Sequence, residues 1–200
     1  MRMDKRPILL FDVMETLINE PFFVAVPDFF GMTVEELLEA VHPTSWIEFE
    51  EGVITEAEYF ERFFRDGRAV DGPGLRECLA TAYRWLDGME ELLAELHGSK
   101  YSIHAFSNYS SWYTLIDDSL GLSRYLKWTC VSCLTGVRKP DAQAYLGAAA
   151  KCEVQPAECL FVDDRPVNVD AAIAVGMDAI LRLDVKQVRR ELGLRGILKV

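Results

Sequence analysis

The chain has 200 residues, half of them hydrophobic and about a quarter charged, a composition that excludes a disordered or collagen-like protein. Its 21 Lys and Arg against 32 Asp and Glu give a formal charge of −11. This argues against nonspecific binding to nucleic acids or to anionic membranes, because both need clustered positive charge. With no run near the roughly 18 apolar residues of a membrane span, we expect a soluble intracellular protein. The odd count of five cysteines favours reduced thiols.

Short apolar runs and helical patterns alternate along most of the chain. The runs have the length of strands buried on both faces of a parallel sheet, and they cover residues 8–11, 101–106, 128–131, 159–162 and 179–183. The predicted helices between and after them cover residues 89–96, 112–120, 142–150, 169–175 and 185–192. This order predicts an α/β fold, Rossmann-like, with a three-layer parallel sheet covered by helices on both faces.

Residues 18–87 interrupt this alternation, because they contain helical patterns and no convincing strand. Capping boxes at Thr33 and Thr55 predict two helix starts. We therefore predict a helical insert at residues 18–87 and an α/β core at residues 1–17 and 88–200. The insert holds 15 acidic and 5 basic residues, a net charge of −10, so nearly all of the chain's negative charge belongs to it.

Polar groups follow the predicted strands, at the edge where an open parallel sheet binds its ligands. They are Asp12 to Thr16 after the first strand, Ser107 and Asn108 after the second, Arg138 to Asp141 before a later helix, and Asp163 to Arg165 after the fourth.

These segments contain three carboxylates at two neighbouring strand ends, those of Asp12, Asp163 and Asp164. The three would repel one another in a partly buried cleft unless a cation neutralised them. Hard oxygen ligands of this kind suit Mg²⁺ shared with a substrate phosphate. Ser107 and Lys139 add a hydroxyl and a positive charge for phosphate oxygens. Together they point to phosphoryl transfer through an aspartyl phosphate.

The segments FDVMETL, FSN, RKPD and FVDDRPVNVDAA, in this order, resemble the motifs of the haloacid dehalogenase superfamily. The resemblance implies that Asp12 is the nucleophile and that Ser107 and Lys139 stabilise the phosphoryl group. It implies that Asp163, Asp164 and the backbone carbonyl of Met14 hold Mg²⁺ with Asp12. The insert would be a helical cap that closes over the site and selects substrates.

Met14 departs from the pattern of most phosphatases in this superfamily, which carry there a second Asp that protonates the leaving group. A thioether cannot transfer a proton, and loss of a general acid removes about 10² to 10⁴ in rate. Three interpretations follow: an enzyme that uses another proton donor or a group on the substrate, a 2-haloacid dehalogenase, or a non-catalytic flavin- or phosphate-binding protein. Dehalogenases of the superfamily place an Arg soon after the first motif, whereas none occurs here between Arg6 and Arg62.

Over nearly its whole length the chain is most similar, within this superfamily, to plant and algal flavin mononucleotide (FMN) hydrolases. This resemblance implies a monoester phosphatase that converts FMN to riboflavin, in the cytoplasm, or in the chloroplast if a transit peptide has been removed. Twelve of the 22 aromatic residues lie in the insert, and we expect Trp46 and Phe49 to contact a flavin ring. Asn108 and Arg138 are further candidates for substrate binding. A monomer or homodimer with a small phosphorylated substrate is expected.

Overall fold

The computed structural model describes residues 6–199, which form one five-stranded sheet flanked by helices. The strands are β1 (Ile8–Phe11), β2 (Ile103–Ser107), β3 (Lys127–Val131), β4 (Cys159–Asp163) and β5 (Asp178–Leu181). They lie in the order β3-β2-β1-β4-β5, and every pair is parallel. The predicted α/β fold is confirmed, and each strand lies within two residues of its predicted position.

Eleven α-helices are present in the described part of the chain. Five of them, all between β1 and the first helix of the core, are α1 (Phe22–Phe30), α2 (Val34–Ala40), α3 (Ser45–Glu50), α4 (Glu56–Glu61) and α5 (Gly72–Ala82). The others are α6 (Met89–Gly98), α7 (Tyr113–Leu120), α8 (Ser132–Thr135), α9 (Ala142–Lys151), α10 (Pro166–Ala174) and α11 (Val185–Leu194). Within residues 6–199, each helix is too short or too polar to span a lipid bilayer.

Two hydrophobic clusters cover the two faces of the sheet. In β1, the side chains of Leu9 and Phe11 belong to the cluster that includes α6, α7 and α11. Leu10 belongs to the other cluster, with α9 and α10. Successive side chains of a strand point to opposite faces, so one apolar run supplies both layers. This packing gives the three layers expected from the sequence.

Two helices of the insert, α2 and α4, begin where local capping predicts. Thr33 and Thr55 each accept a hydrogen bond from the backbone N–H of a glutamate three residues on, and each glutamate bonds back to the threonine N–H. These helices do not form a separate core, because their buried residues join the same cluster as α6 and α7. The insert therefore packs against one face of the sheet, and its apolar side chains belong to the core of that face.

Candidate active site

The predicted site residues meet at the carboxyl edge of the three central strands. Asp12 follows β1, Ser107 ends β2 and Asp163 ends β4, and β1 lies between the other two strands. Asp12 and Ser107 border a cavity of about 290 Å³, called here the strand-end cleft, whereas Asp163 is fully buried behind its wall. Among the predicted residues, its lining contains Asp12, Met14, Trp46, Ser107, Asn108, Arg138, Lys139 and Asp164.

Lys139 lies at the centre of this arrangement. Its Nζ donates to Oδ1 of Asp12 at 2.8 Å and to Oδ2 of Asp163 at 2.6 Å. The lysine side chain is 1% exposed and the two carboxylates are 10% and 0% exposed. Buried ions need such pairing, so the lysine holds the two carboxylates at a fixed spacing and places a cation beside Asp12.

Three carboxylates lie close enough to share one metal ion. A ligand oxygen from each of Asp12, Asp163 and Asp164 lies within 4.8 Å of the others. Asp163 accepts hydrogen bonds from Lys139, from the Arg165 N–H and from the Asn168 amide. Asp12 and Asp164 are therefore the carboxylates with more capacity for a further ligand.

Burial raises the pKa of Asp12 to about 7; Lys139 opposes this rise, and Asp163 and Asp164 add to it. The pKa of Asp164 is also raised, by burial first and by Asp163 second. For Lys139, burial acts to lower the pKa, but the charges of Asp12 and Asp163 outweigh it and the pKa is raised. The lysine therefore stays charged, whereas Asp12 needs added positive charge to ionise fully near neutral pH.

Two residues, Thr16 and Asn168, support the aspartates in a role that the sequence analysis did not assign to them, although both lie in segments it singled out. The Thr16 hydroxyl donates to Asp12 at 3.2 Å and to Asp164 at 3.4 Å, and it accepts from the Asp164 N–H at 3.1 Å. The Asn168 amide donates to both oxygens of Asp163, at 3.1 and 3.0 Å. The sequence spacing could have indicated both contacts, because Thr16 lies four residues after Asp12 and Asn168 lies five residues after Asp163.

Asn108 and Arg138 make structural contacts as well as lining the cleft. Asn108 donates to the Lys139 carbonyl at 2.8 Å and accepts from the Lys139 N–H at 2.7 Å, which positions the lysine backbone. Arg138 Nε lies 3.0 Å from the carboxylate of Glu50, a 4%-exposed residue of α3. This ion pair links the insert to the core, and nothing local in the sequence indicated it.

The two aromatic candidates differ in position. Trp46 is half-buried and lines the cleft. Phe49 is 2% exposed, and its ring stacks on Tyr59 at 4.8 Å between centroids and packs edge-on against Trp112 at 5.3 Å. The structure thus corrects the expectation for Phe49: its ring is enclosed in the hydrophobic core, since α3 turns it away from the cleft.

A second cavity, of about 370 Å³, lies beside the cleft and is called here the apolar chamber. The two share Glu20, Phe23, Trp46 and Tyr109 as lining residues. The rest of the chamber wall is mostly apolar, with Phe22, Leu38, Val41, Ile47, Leu79 and Trp112 among its residues. A phosphate bound near Asp12 could therefore carry a large apolar group into the chamber.

Comparison with known proteins agrees with this geometry. A model of the haloacid dehalogenase-like hydrolases matches residues 8–176. The chain is 48% identical over 196 residues to the chloroplastic flavin mononucleotide hydrolase 1 of Arabidopsis thaliana, covering 98% of this chain and 80% of that protein. It is 27% identical over 158 residues to a sesquiterpene phosphatase of Aspergillus oryzae, covering 73% of this chain and 76% of that protein.

The fold also matches a solved enzyme of the same family from Bacteroides thetaiotaomicron, a complex with magnesium and inorganic phosphate. The TM-score is 0.71 at 20% identity, over 88% of this chain and 93% of that one. The two sequence relatives, an FMN hydrolase and a sesquiterpene phosphatase, confirm the prediction that the chain is a phosphatase. The match over residues 8–176 and the 48% identity show that the chain belongs to the haloacid dehalogenase-like hydrolases.

Proposed function

We propose that the protein is a Mg²⁺-dependent phosphatase that hydrolyses FMN to riboflavin and inorganic phosphate. The observation that carries this proposal is that two unlike cavities are adjacent and share four lining residues. One holds a buried carboxylate beside a buried lysine, and the other is an aromatic-lined chamber. FMN has the matching parts, a phosphate ester at one end and, at the other, a planar aromatic ring system with an apolar dimethylbenzene edge. The 48%-identical FMN hydrolase supports the same substrate.

The donor set fits Mg²⁺. Of the three clustered carboxylates, Asp12 and Asp163 contact Lys139, whereas Asp164 has no ion pair within residues 6–199. One lysine leaves an excess of negative charge, and hard carboxylate oxygens suit Mg²⁺. Asp12, Asp163, Asp164 and the backbone carbonyl of Met14 would hold the ion. When bound, it would neutralise charge on the phosphoryl oxygens.

The protein's own residues account for the transfer step. Asp12 attacks phosphorus, a bond forms between its carboxylate oxygen and phosphorus, and the ester oxygen departs. Lys139 stabilises the negative charge that develops on the phosphoryl oxygens, and Ser107 supplies a hydroxyl at the same strand edge. Water then attacks phosphorus, which releases phosphate and restores Asp12. Thr16, Asn108 and Asn168 keep the nucleophile, the lysine and Asp163 in place.

The chamber supplies the contacts for the leaving group. Trp46 borders both cavities and is the aromatic residue best placed to stack on a flavin ring. Phe23, 51% exposed, borders both cavities as well. A ligand of this kind is a single small molecule with few phosphates, and the negative charge of the insert disfavours long polyanions. We also propose that the protein is a monomer or a homodimer and that it is located in the chloroplast or the cytoplasm.

The test is phosphate and riboflavin release from FMN by the purified protein, alongside sugar phosphates and nucleotides, with Mg²⁺ or with a chelator. We expect FMN to be preferred and the chelator to abolish turnover. Asp12→Asn should lower the rate on every ester by about 10⁴-fold or more, as removal of a nucleophile does. Asp141→Asn is the matched control, because Asp141 caps α9 and Asn keeps that role.

Other outcomes of this screen would overturn the proposal. Tight FMN binding with no phosphate release over hours would identify a non-catalytic flavin-binding protein. Chloride release from a 2-chloro acid without phosphatase activity would identify a dehalogenase.

A further inference from the structure

Met14 leaves the departing oxygen without the usual proton donor, so another acid is needed for an alkyl ester. An alkoxide is a poor leaving group unless it is protonated as the bond to phosphorus breaks. Apart from the clustered aspartates, the carboxyl groups that line the strand-end cleft are those of Glu15, Glu20 and Glu50.

Two of these three are already engaged. Burial raises the pKa of Glu50, which is 4% exposed, but its carboxyl group is committed to Arg138 at 3.0 Å, and this ion pair opposes the rise. Glu15 is exposed, and its Oε1 accepts the Glu20 N–H at 2.6 Å. Its backbone is in the left-handed region, with φ of 51°. Neither carboxyl faces both cavities.

Glu20 has the position that the chemistry requires. It is half-buried and borders both the cleft that holds Asp12 and the apolar chamber. Its Oε1 accepts the Phe22 N–H at 3.0 Å, which fixes the carboxyl group, while Oε2 has no hydrogen-bond partner among residues 6–199. An ester that spans the two cavities passes this carboxyl at their junction.

The surroundings of Glu20 favour its protonated form. Burial raises its pKa; the Phe22 N–H opposes the rise, and the neighbouring charges of Glu15 and Glu50 add to it. Glu20 has no ion pair within the described residues, although His42 and Arg65 line other parts of the same chamber. A carboxyl group in this environment can carry a proton at a higher pH than an exposed glutamate.

We propose that Glu20 is the general acid and base of this phosphatase, in place of the aspartate that Met14 replaces. This inference rests on the proposed phosphatase reaction. In the first half, Asp12 forms the bond to phosphorus, the ester P–O bond breaks, and the Glu20 proton passes to the leaving oxygen. In the second half, the Glu20 carboxylate takes a proton from water, whose oxygen bonds to phosphorus as the Asp12 P–O bond breaks.

The test compares first turnovers of two esters in Glu20→Gln. Glutamine keeps an oxygen that can accept the Phe22 N–H but has no proton of carboxylic acidity. With FMN, whose leaving group is an alkoxide, the first turnover should slow by about 10² to 10⁴-fold. With 4-nitrophenyl phosphate, whose leaving group departs without a proton, a burst of 4-nitrophenolate should remain within a few-fold of the wild-type rate. Later turnovers should be slow, because attack by water lacks its base.

Glu39→Gln is the matched control, because it removes one negative charge from an exposed position of α2 in the insert. It should leave both first turnovers unchanged. A normal FMN turnover in Glu20→Gln would overturn the proposal. Equal slowing of both esters would also overturn it, since that would identify a positioning role. The nitrophenolate burst reports that the variant is folded with an intact nucleophile.

The FMN assignment can fail separately. If the wild-type protein hydrolyses another alkyl phosphate but not FMN, the substrate proposal is wrong, and the same comparison is made with that ester.

Discussion

The strand-end cleft and the apolar chamber are adjacent cavities whose walls differ in chemistry. In the cleft, buried charges are held by partners at short distances, as Lys139 is by Asp12 and Asp163. In the chamber, the wall is mostly aliphatic and aromatic, and two of its residues, Leu38 and Ile47, remain 46% and 38% exposed. The strand ends and loops of the core supply Asp12, Ser107 and Lys139 of the cleft, whereas helices and loops of the insert supply most of the chamber. Changes in the cleft should therefore affect all substrates, and changes in the chamber only those with a large leaving group.

The largest effect after loss of the nucleophile is expected from Lys139→Met, a change of similar length that removes the charge. Loss of one group that stabilises transition-state charge typically costs about 10² to 10³ in kcat. The loss should be equal for FMN and 4-nitrophenyl phosphate, because the lysine acts at phosphorus. Steady-state kinetics on both esters measures it. Lys186→Met, at an exposed position of α11, is the control. A selective loss for FMN alone would break the division between cleft and chamber.

The next effect concerns Mg²⁺ and pH. Asp12 has a pKa of about 7 in the metal-free folded protein, whereas an aspartate in the unfolded chain has a pKa of about 4. Between roughly pH 4 and 7 the carboxyl group is therefore protonated in the folded protein and ionised in the unfolded chain. Its contribution to the free energy of unfolding therefore falls as pH rises through that window. Protons and Mg²⁺ compete for the same carboxylates, so stabilisation by Mg²⁺ should increase with pH.

Thermal unfolding with and without Mg²⁺ at pH 5.5 and pH 8 measures this competition. At 100 times Kd the metal contributes about 2.7 kcal/mol, or a rise in Tm of roughly 5 to 10 °C for a chain of this size. The rise should be smaller at pH 5.5. Asp164→Asn should weaken it at pH 8, and Asp141→Asn should not. An equal rise at both pH values would contradict a site built on Asp12.

The smallest effect is expected in the chamber. Leu38→Trp adds bulk to a lining residue of α2 and should raise KM for FMN about tenfold, equivalent to about 1.4 kcal/mol. KM for 4-nitrophenyl phosphate should not change. Val24→Trp is the matched control, because Val24 is 69% exposed on α1 and is absent from the chamber wall. Equal effects of the two variants would mean that the chamber does not hold the flavin.

Much of the fold could be predicted from local patterns. A run such as Ile8 to Phe11, followed at once by Asp12, contains both the strand and its functional end. The capping boxes at Thr33 and Thr55 likewise carry their own hydrogen-bonding partners three residues away. These features depend on neighbours along the chain, and periodicity reports such neighbours directly.

The motif residues could also be placed, because strand order and parallel pairing bring their ends to one edge. Asp12 and Lys139 are 127 residues apart, yet they meet in the structure. The order of the motifs predicted this meeting. It did not predict that Lys139 bonds to both Asp12 and Asp163, since the reach of a side chain depends on the packed backbone around it.

What the sequence by itself determined is the α/β sheet, the helical insert and the set of reactive groups at the strand ends. Only the tertiary structure decided that Trp46 borders the cleft while the Phe49 ring is buried in the hydrophobic core. It also decided that Glu20 lines both cavities. The physical reason is that strands and caps arise from contacts along the chain. The direction in which an insert presents a ring or a carboxyl depends on how its helices pack against a distant sheet.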